Sequence, residues 1–206
     1  MISNVTEANT NIPGPFSNFT TLLRLFSNQG LDTKDLVLLS GTIYTFSIYI
    51  SDATIFNINV ICFGLIVSGA HTIGLAHCPA FSNRLYNSSG PGGVDPTLDS
   101  EYAANLKANK CKTPNDNTTK NEMDPGSRNT FDLSYYTHLT KRRGLFQSDA
   151  ALTTDSTSSA LINQLLSNPL KFFYAEFATS MEKMGRVNVK TGSEGEIRKQ
   201  CAFVNS

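Results

Sequence analysis

The residues in this chain best suited to chemistry are gathered in Ser68-Gly69-Ala70-His71-Thr72-Ile73-Gly74, followed by Leu75-Ala76-His77-Cys78. His71 stands among small residues at the end of an apolar run, with glycine on both sides. Small neighbours let a flat ligand or another backbone approach the imidazole closely. Such a histidine is either an axial metal ligand or a buried, hydrogen-bonded core residue. A second group is Asp124-Pro125-Gly126-Ser127-Arg128-Asn129-Thr130-Phe131-Asp132, where two carboxylates, hydroxyls and turn carbonyls offer oxygen ligands of the kind calcium takes. Its spacing is not that of an EF-hand loop, and from the residues alone a capped turn before a helix is the plainer reading. A zinc site built on His71, His77 and Cys78 is conceivable, but the spacing matches no structural zinc pattern.

These groups need a scaffold, and 206 residues suffice for one domain with a real core. Seventeen basic and seventeen acidic side chains balance, so neither a nucleic-acid stripe nor an acidic tail is present. Four cysteines (Cys62, Cys78, Cys111, Cys201) and Asn-x-Ser/Thr sequons at Asn4, Asn18, Asn87 and Asn117 point to a secreted, oxidised, glycosylated protein. Met1 to Thr6 nevertheless show neither a basic n-region nor an apolar h-region. The expectation is a chain that lacks its N-terminal part.

Patterning predicts an all-α domain. After the stiff Asn11 to Pro15 lead-in, Ser17 is expected to cap a helix with Phe16, Phe19, Leu22, Leu23 and Phe26 on one stripe, stopped by Gly30. Thr33 should cap a short helix to Leu39. Asp95-Pro96 reads as the start of a helix through Lys107, and Asp155 as the cap of Ser158 to Leu166. A short helix from about Asp132 carries Tyr135, Tyr136 and Leu139. Asn168-Pro169 opens the longest helix, with Leu170, Phe173, Phe177, Met181 and Met184 on one face and Gly185 at its end. Ser193-x-x-Glu196 is a capping box. No period-2 run outside residues 42–69 reads as a strand.

Residues 42–69 are anomalous: no Lys or Arg, one acid (Asp52) and seven Ile among Phe, Tyr, Thr and Asn. A membrane span of about 20 residues fits the length, but a mid-span Asp costs around 3 kcal/mol and no positive charges flank it. A β-hairpin fits the β-branched and aromatic composition.

The motif Ser68 to Gly74, with Cys78 seven residues after the histidine and then Arg84-Leu85-Tyr86-Asn87, resembles the proximal haem-ligand segment of the plant secretory (class III) haem peroxidases. The likeness runs on through most of the chain to Cys201 and Val204-Asn205-Ser206. It implies the proximal half of the all-helical peroxidase fold, haem b and calcium as cofactors, and hydrogen peroxide and small phenolic donors as partners. It implies a monomer in the cell wall or vacuole, with no nucleic acid and no membrane. By the same likeness His71 is the iron ligand. Asp149, in Gly144-Leu145-Phe146-Gln147-Ser148-Asp149, is its carboxylate partner; alone it would be an ordinary surface acid. The proximal calcium ligands fall on Thr72, Asp124, Ser127, Thr130 (by its carbonyl) and Asp132, and the Pro13 carbonyl on the donor site. Cys78 and Cys111 match a family disulfide, whereas the partner of Cys201 belongs to the family's N-terminal half.

That half also carries the distal Arg-x-x-Phe-His segment, which this chain lacks. Its histidines are His71, His77 and His138 alone. In the family, the segment matching Asp35 to Gly41 runs straight into Ala70, so residues 42–69 read as an insert of translated intron. The domain reading is a single partial peroxidase domain over 1–206, family-like at 1–41 and 70–206.

Overall fold

The computed structural model describes Thr6 and residues 10–42, 69–88, 90, 92–195, 197, 199–200 and 205, with backbone only at 41, 42, 69 and 70. The readings placed on Asn4, Cys62, Glu196, Cys201 and the body of the 42–69 stretch lie outside them.

The described chain is built from helices: α1 (Phe19–Ser27), α2 (Thr33–Ser40), α3 (Ser82–Tyr86), α4 (Ser100–Asn109), α5 (Ser134–Thr140), α6 (Gln147–Ala151), α7 (Ser156–Ser167) and α8 (Leu170–Gly185). Short 3-10 turns occupy Cys78–Ala80 and Gly192–Glu194. Sequence periodicity anticipates the helical class and misplaces several starts. The first cap is Asn18, whose side chain accepts from the Thr21 N–H at 2.9 Å, rather than Ser17. On that helix Leu25 is buried, whereas Phe16, assigned to the stripe, is exposed. The cap of α2 is Asp32, not Thr33: Asp32 accepts from the Asp35 N–H, and Asp35 accepts from the Asp32 N–H, each at 3.0 Å. This reciprocal pair satisfies two backbone donors that a helix start leaves without partners.

Asp95 does not start α4. Asp99 caps it, accepting from Tyr102 N–H at 2.9 Å, because the Asp95 carboxylate is engaged by Arg84 and Thr97. Asp155 caps α7 as expected, its carboxylate accepting from Ser158 N–H, although the helix begins at Ser156 rather than Ser158. Along α8, Phe173 is buried and Phe177, Met181 and Met184 pack beside it, but Leu170 is exposed.

Two short antiparallel ladders also form. Leu75–His77 (β3) pairs with Lys120–Glu122 (β4) in the register Leu75↔Glu122, Ala76↔Asn121, His77↔Lys120. Three residues are too few for a period-2 signal. Gly41–Thr42 (β1) pairs with Gly69–Ala70 (β2), Gly41 facing Ala70. The two flanks of the anomalous stretch therefore meet.

The core has two parts. One gathers Leu22, Phe26, Leu36 to Leu39, Tyr135, Tyr136, Leu152, Ile162, Leu165 and Phe173 from α1, α2, α5, α7 and α8. The other gathers Ala76, Phe81, Leu85, Leu98, Leu106, Met123, Leu145 and the Cys78–Cys111 disulfide. α8 is fastened across α2 by polar groups as well. Buried Asp35 accepts from the Ser180 hydroxyl at 2.6 Å and from Lys183 Nζ at 2.9 Å.

Candidate functional site

His71 lies one residue beyond β2, and its N–H donates to Ser40 O at 3.4 Å across the ladder. The residue is 5% exposed. Its ring meets Phe146 edge-on at 4.9 Å and Tyr135 edge-on at 5.7 Å between centroids. Tyr135 belongs to one part of the core and Phe146 packs on the other, so the imidazole sits where the two meet.

Nδ1 of His71 is 2.6 Å from Oδ1 of Asp149, which is 1% exposed. The carboxylate also accepts from the Tyr135 hydroxyl at 2.9 Å and from the Phe146 N–H at 2.8 Å. Burial alone would raise the Asp149 pKa. The His71 charge and hydrogen bond, with the Phe146 and Tyr135 donors, override burial and hold it below the ordinary carboxylate value. An ionised carboxylate can only accept, so Nδ1 carries the proton, and in the neutral form of the ring the lone pair is then on Nε2. An imidazole in that state is a donor ligand for a transition metal, made more basic by its anionic partner. Burial, then Asp149, push the Tyr135 hydroxyl well above its usual pKa, which keeps it a donor.

The next residue begins the second site. The hydroxyl of buried Thr72 donates to Asp132 O at 2.9 Å and accepts from the Asp132 N–H at 3.2 Å. It also lies 3.5 Å from Thr130 O. Ser127 donates to Asp132 Oδ2 at 2.9 Å. Ser134 contacts Asp124 Oδ2 and Asp132 Oδ1 with one hydroxyl. A hydroxyl has one proton, so it cannot satisfy both carboxylates. Asp124 is fully buried, and its Oδ1 makes no hydrogen bond, with His138 Nε2 3.4 Å away. Burial, opposed by the Ser134 hydrogen bond and reinforced by the Asp132 charge, pushes the Asp124 pKa up to about 6.

Thr72, Asp124, Ser127, Thr130 and Asp132 thus converge as an oxygen cluster with more acceptors than donors. An acceptor surplus of this kind is relieved by a hard cation or by a proton. Among the described residues no group of three or more His, Cys, Asp or Glu could hold a metal ion; this cluster draws instead on two carboxylates, hydroxyls and carbonyls.

The two sites share backbone. Gly74, at φ +98°, donates to Arg128 O at 2.9 Å and accepts from the Met123 N–H at 3.2 Å. A residue with a side chain adopts that conformation only under strain, so Gly74 allows the His71 turn to lie on the Asp124 loop. Pro13 is half-buried, and two residues on, Pro15 O accepts from the Ser148 N–H at 3.0 Å, beside Asp149. Cys78 and Cys111 are joined by a disulfide, which removes Cys78 from any zinc set. His77 is exposed on β3 and His138 lies on α5 beside Asp124, so neither joins His71.

Tyr135, Ser134 and Arg84 were not singled out from sequence as members of a site. The pattern Asp132-x-Ser134 could have marked Ser134, since an Asx turn brings the Ser134 N–H to Asp132 Oδ1 at 2.7 Å. No local signal marks Tyr135 as the second donor to a carboxylate fourteen residues away.

The model of the peroxidase family matches residues 2–168, and the chain belongs to that family. Its relatives include Peroxidase 3 and Peroxidase 39 of Arabidopsis thaliana, 57% and 56% identical over 205 and 204 residues. Peroxidase 1 of Oryza sativa subsp. japonica is 43% identical over 198 residues. These alignments cover 100%, 99% and 94% of this chain but 54%, 54% and 52% of the relatives. The chain spans about half the length of the curated relatives it matches. No helix among the described residues is long and apolar enough to cross a membrane.

Proposed function

We propose that this chain is the proximal part of a haem peroxidase that uses hydrogen peroxide to oxidise small phenolic donors one electron at a time. The observation that carries the reading is the 2.6 Å contact between His71 Nδ1 and the buried, ionised Asp149. Haem supplies the redox chemistry when bound. His71 Nε2 is the group that would hold its iron, with Phe146 and Tyr135 fixing the ring against rotation. Asp149 keeps the proton on Nδ1 and makes the imidazole a strong electron donor, which favours the higher oxidation states of a bound metal.

Calcium fits the oxygen cluster, the donors being Thr72, Asp124, Ser127, Asp132 and the Thr130 carbonyl. Asp124 Oδ1, buried without a hydrogen bond, supports that assignment. Because Thr72 adjoins His71, a cation there would brace the imidazole mechanically. The Pro13 segment, tied to α6 through Pro15, would lie at the donor site. Residues 42–69 are an insert in a single partial domain, a reading supported by the pairing of Gly41 with Ala70. The disulfide and the exposed sequon residues Asn18, Asn87 and Asn117 support secretion, glycosylation and an oxidising compartment, with a monomer as the working form.

His77 is exposed on its strand and His138 faces Asp124, so neither is assigned the role of acid–base catalyst on bound peroxide. The test is titration with haem, read by its absorption band, followed by peroxide and a phenolic dye. The expected result is a haem band abolished by His71→Ala, with turnover only when a distal portion carrying His and Arg is supplied. Haem bound equally well by His71→Ala would overturn the assignment. Binding that never yields turnover, even with that portion present, would favour an inactive haem-binding fragment.

A further inference from the structure

Arg84 lies on the five-residue helix α3 with 1% of its surface exposed. Its Nε donates to Asp95 Oδ2 at 2.7 Å, and one terminal nitrogen to Thr97 Oγ1 at 3.0 Å. The other terminal nitrogen is 2.7, 2.9 and 2.8 Å from the carbonyl oxygens of Gly144, Leu145 and Phe146. An ion pair with Asp95 would need only one edge of the guanidinium. The opposite edge holds three consecutive carbonyls, which obliges the 144–146 backbone to wrap around one nitrogen. Arginine's planar fork can grip both partners at once, which a lysine ammonium cannot.

The gripped segment ends at Phe146. That residue's N–H donates to Asp149 Oδ2 at 2.8 Å, and its ring sets the edge of His71. The same segment is pressed against the carboxylate residue itself. A Cβ built on Gly144 would fall 2.6 Å from Asp149 Cβ. The backbone held by Arg84 therefore fixes one donor to Asp149, one wall of its side chain and one neighbour of the imidazole.

We propose that Arg84 is a positioning residue for the His71–Asp149 pair, acting through the carbonyls of residues 144–146 rather than only as half of an ion pair with Asp95. The proposal rests on reading that pair as an imidazole held ready for a metal. Its test needs no haem. In the full chain labelled with 15N at histidine, the three imidazoles are resolved, and His71→Gln assigns the Nδ1–H. The wild-type signal is expected at low field and slow to exchange with water.

Arg84→Lys keeps a cation beside Asp95 but cannot span the carbonyls. Its His71 Nδ1–H should exchange roughly tenfold faster or more, as local opening becomes easier. Thr97→Val removes a partner of Arg84 without touching the carbonyls, so it should lower the melting temperature and leave that exchange rate unchanged. A second measurement serves if Arg84→Lys does not fold. In the wild type under sub-denaturing urea, the Arg84 Nε–H and the His71 Nδ1–H should exchange with the same urea dependence. Wild-type exchange of His71 in Arg84→Lys, or separate openings of the two protons, would overturn the proposal and leave the His71–Asp149 reading intact. A wild-type chain with no protected Nδ1–H would overturn both.

Discussion

At the scale of single residues, the geometry turns on groups that are buried and charged. Gly144 is one position where a side chain has no room: a Cβ would meet Asp149 Cβ at 2.6 Å and Leu139 Cδ2 at 2.8 Å. Gly144→Ala must displace either a core leucine or the carboxylate, at a cost of about 1–3 kcal/mol for overpacking. Urea unfolding midpoints would check this. Asp124 gives a prediction in pH. Its folded pKa of about 6 lies above the ordinary carboxylate value, so the native chain binds more protons than the unfolded one between about pH 4 and 6. Its contribution therefore falls as pH rises through that window and then levels. Asp124→Asn mimics the protonated acid. In chelator, the variant should match the wild type only below the unfolded value of 3.8 and exceed it in stability at pH 7, as read by thermal melts. Calcium at pH 7 should stabilise the wild type and not the variant. A variant no more stable than wild type at pH 7 would remove the strain assigned to this cluster.

Elements set the distances between such residues, and here local sequence signals served unevenly. The helices of α7 and α8 were legible because Asp155 and Asn168-Pro169 announce starts that the backbone obeys. Asp95-Pro96 announces one too, but a buried Arg84 claims the carboxylate and the helix begins at Ser100 instead. Nothing in the local sequence says that Arg84 is buried; its partners lie 11 and 60 to 62 residues away. The same distance problem hides Asp149, 78 residues from His71, which became legible only through resemblance. The β3–β4 ladder is too short to leave a pattern, yet Asn121 within it donates from Nδ2 to Cys111 Sγ at 3.2 Å. The disulfide it touches closes a separation of 33 residues. Replacing both cysteines by serine should cost roughly 3–4 kcal/mol on the chain-entropy account. Denaturant midpoints measured with and without a reducing agent would check it, with the serine variant insensitive to the reductant.

At the scale of the whole molecule, two core regions meet at His71, and their union is what the isolated chain must achieve to present the imidazole. The helical class was legible from composition and period, because it depends on averages along the chain. The meeting point was not, because it depends on Tyr135 and Phe146 arriving from separate elements. The pairing of Gly41 with Ala70 makes a further expectation testable. Deleting residues 43–68 should leave the melting temperature unchanged or higher, since closing a shorter loop between the same two points costs less entropy. A lower melting temperature with loss of helical circular dichroism would mean that those residues hold the fold together.

The same seam offers a use in engineering. Loop-closure cost grows only logarithmically with length, so β1 and β2 can in principle accept cargo of very different sizes without disturbing the register between them. A small fluorescent module whose own ends lie close together could be grafted there. It would join the chain at Gly69, two residues from His71, and its emission would report locally on whether the imidazole is occupied.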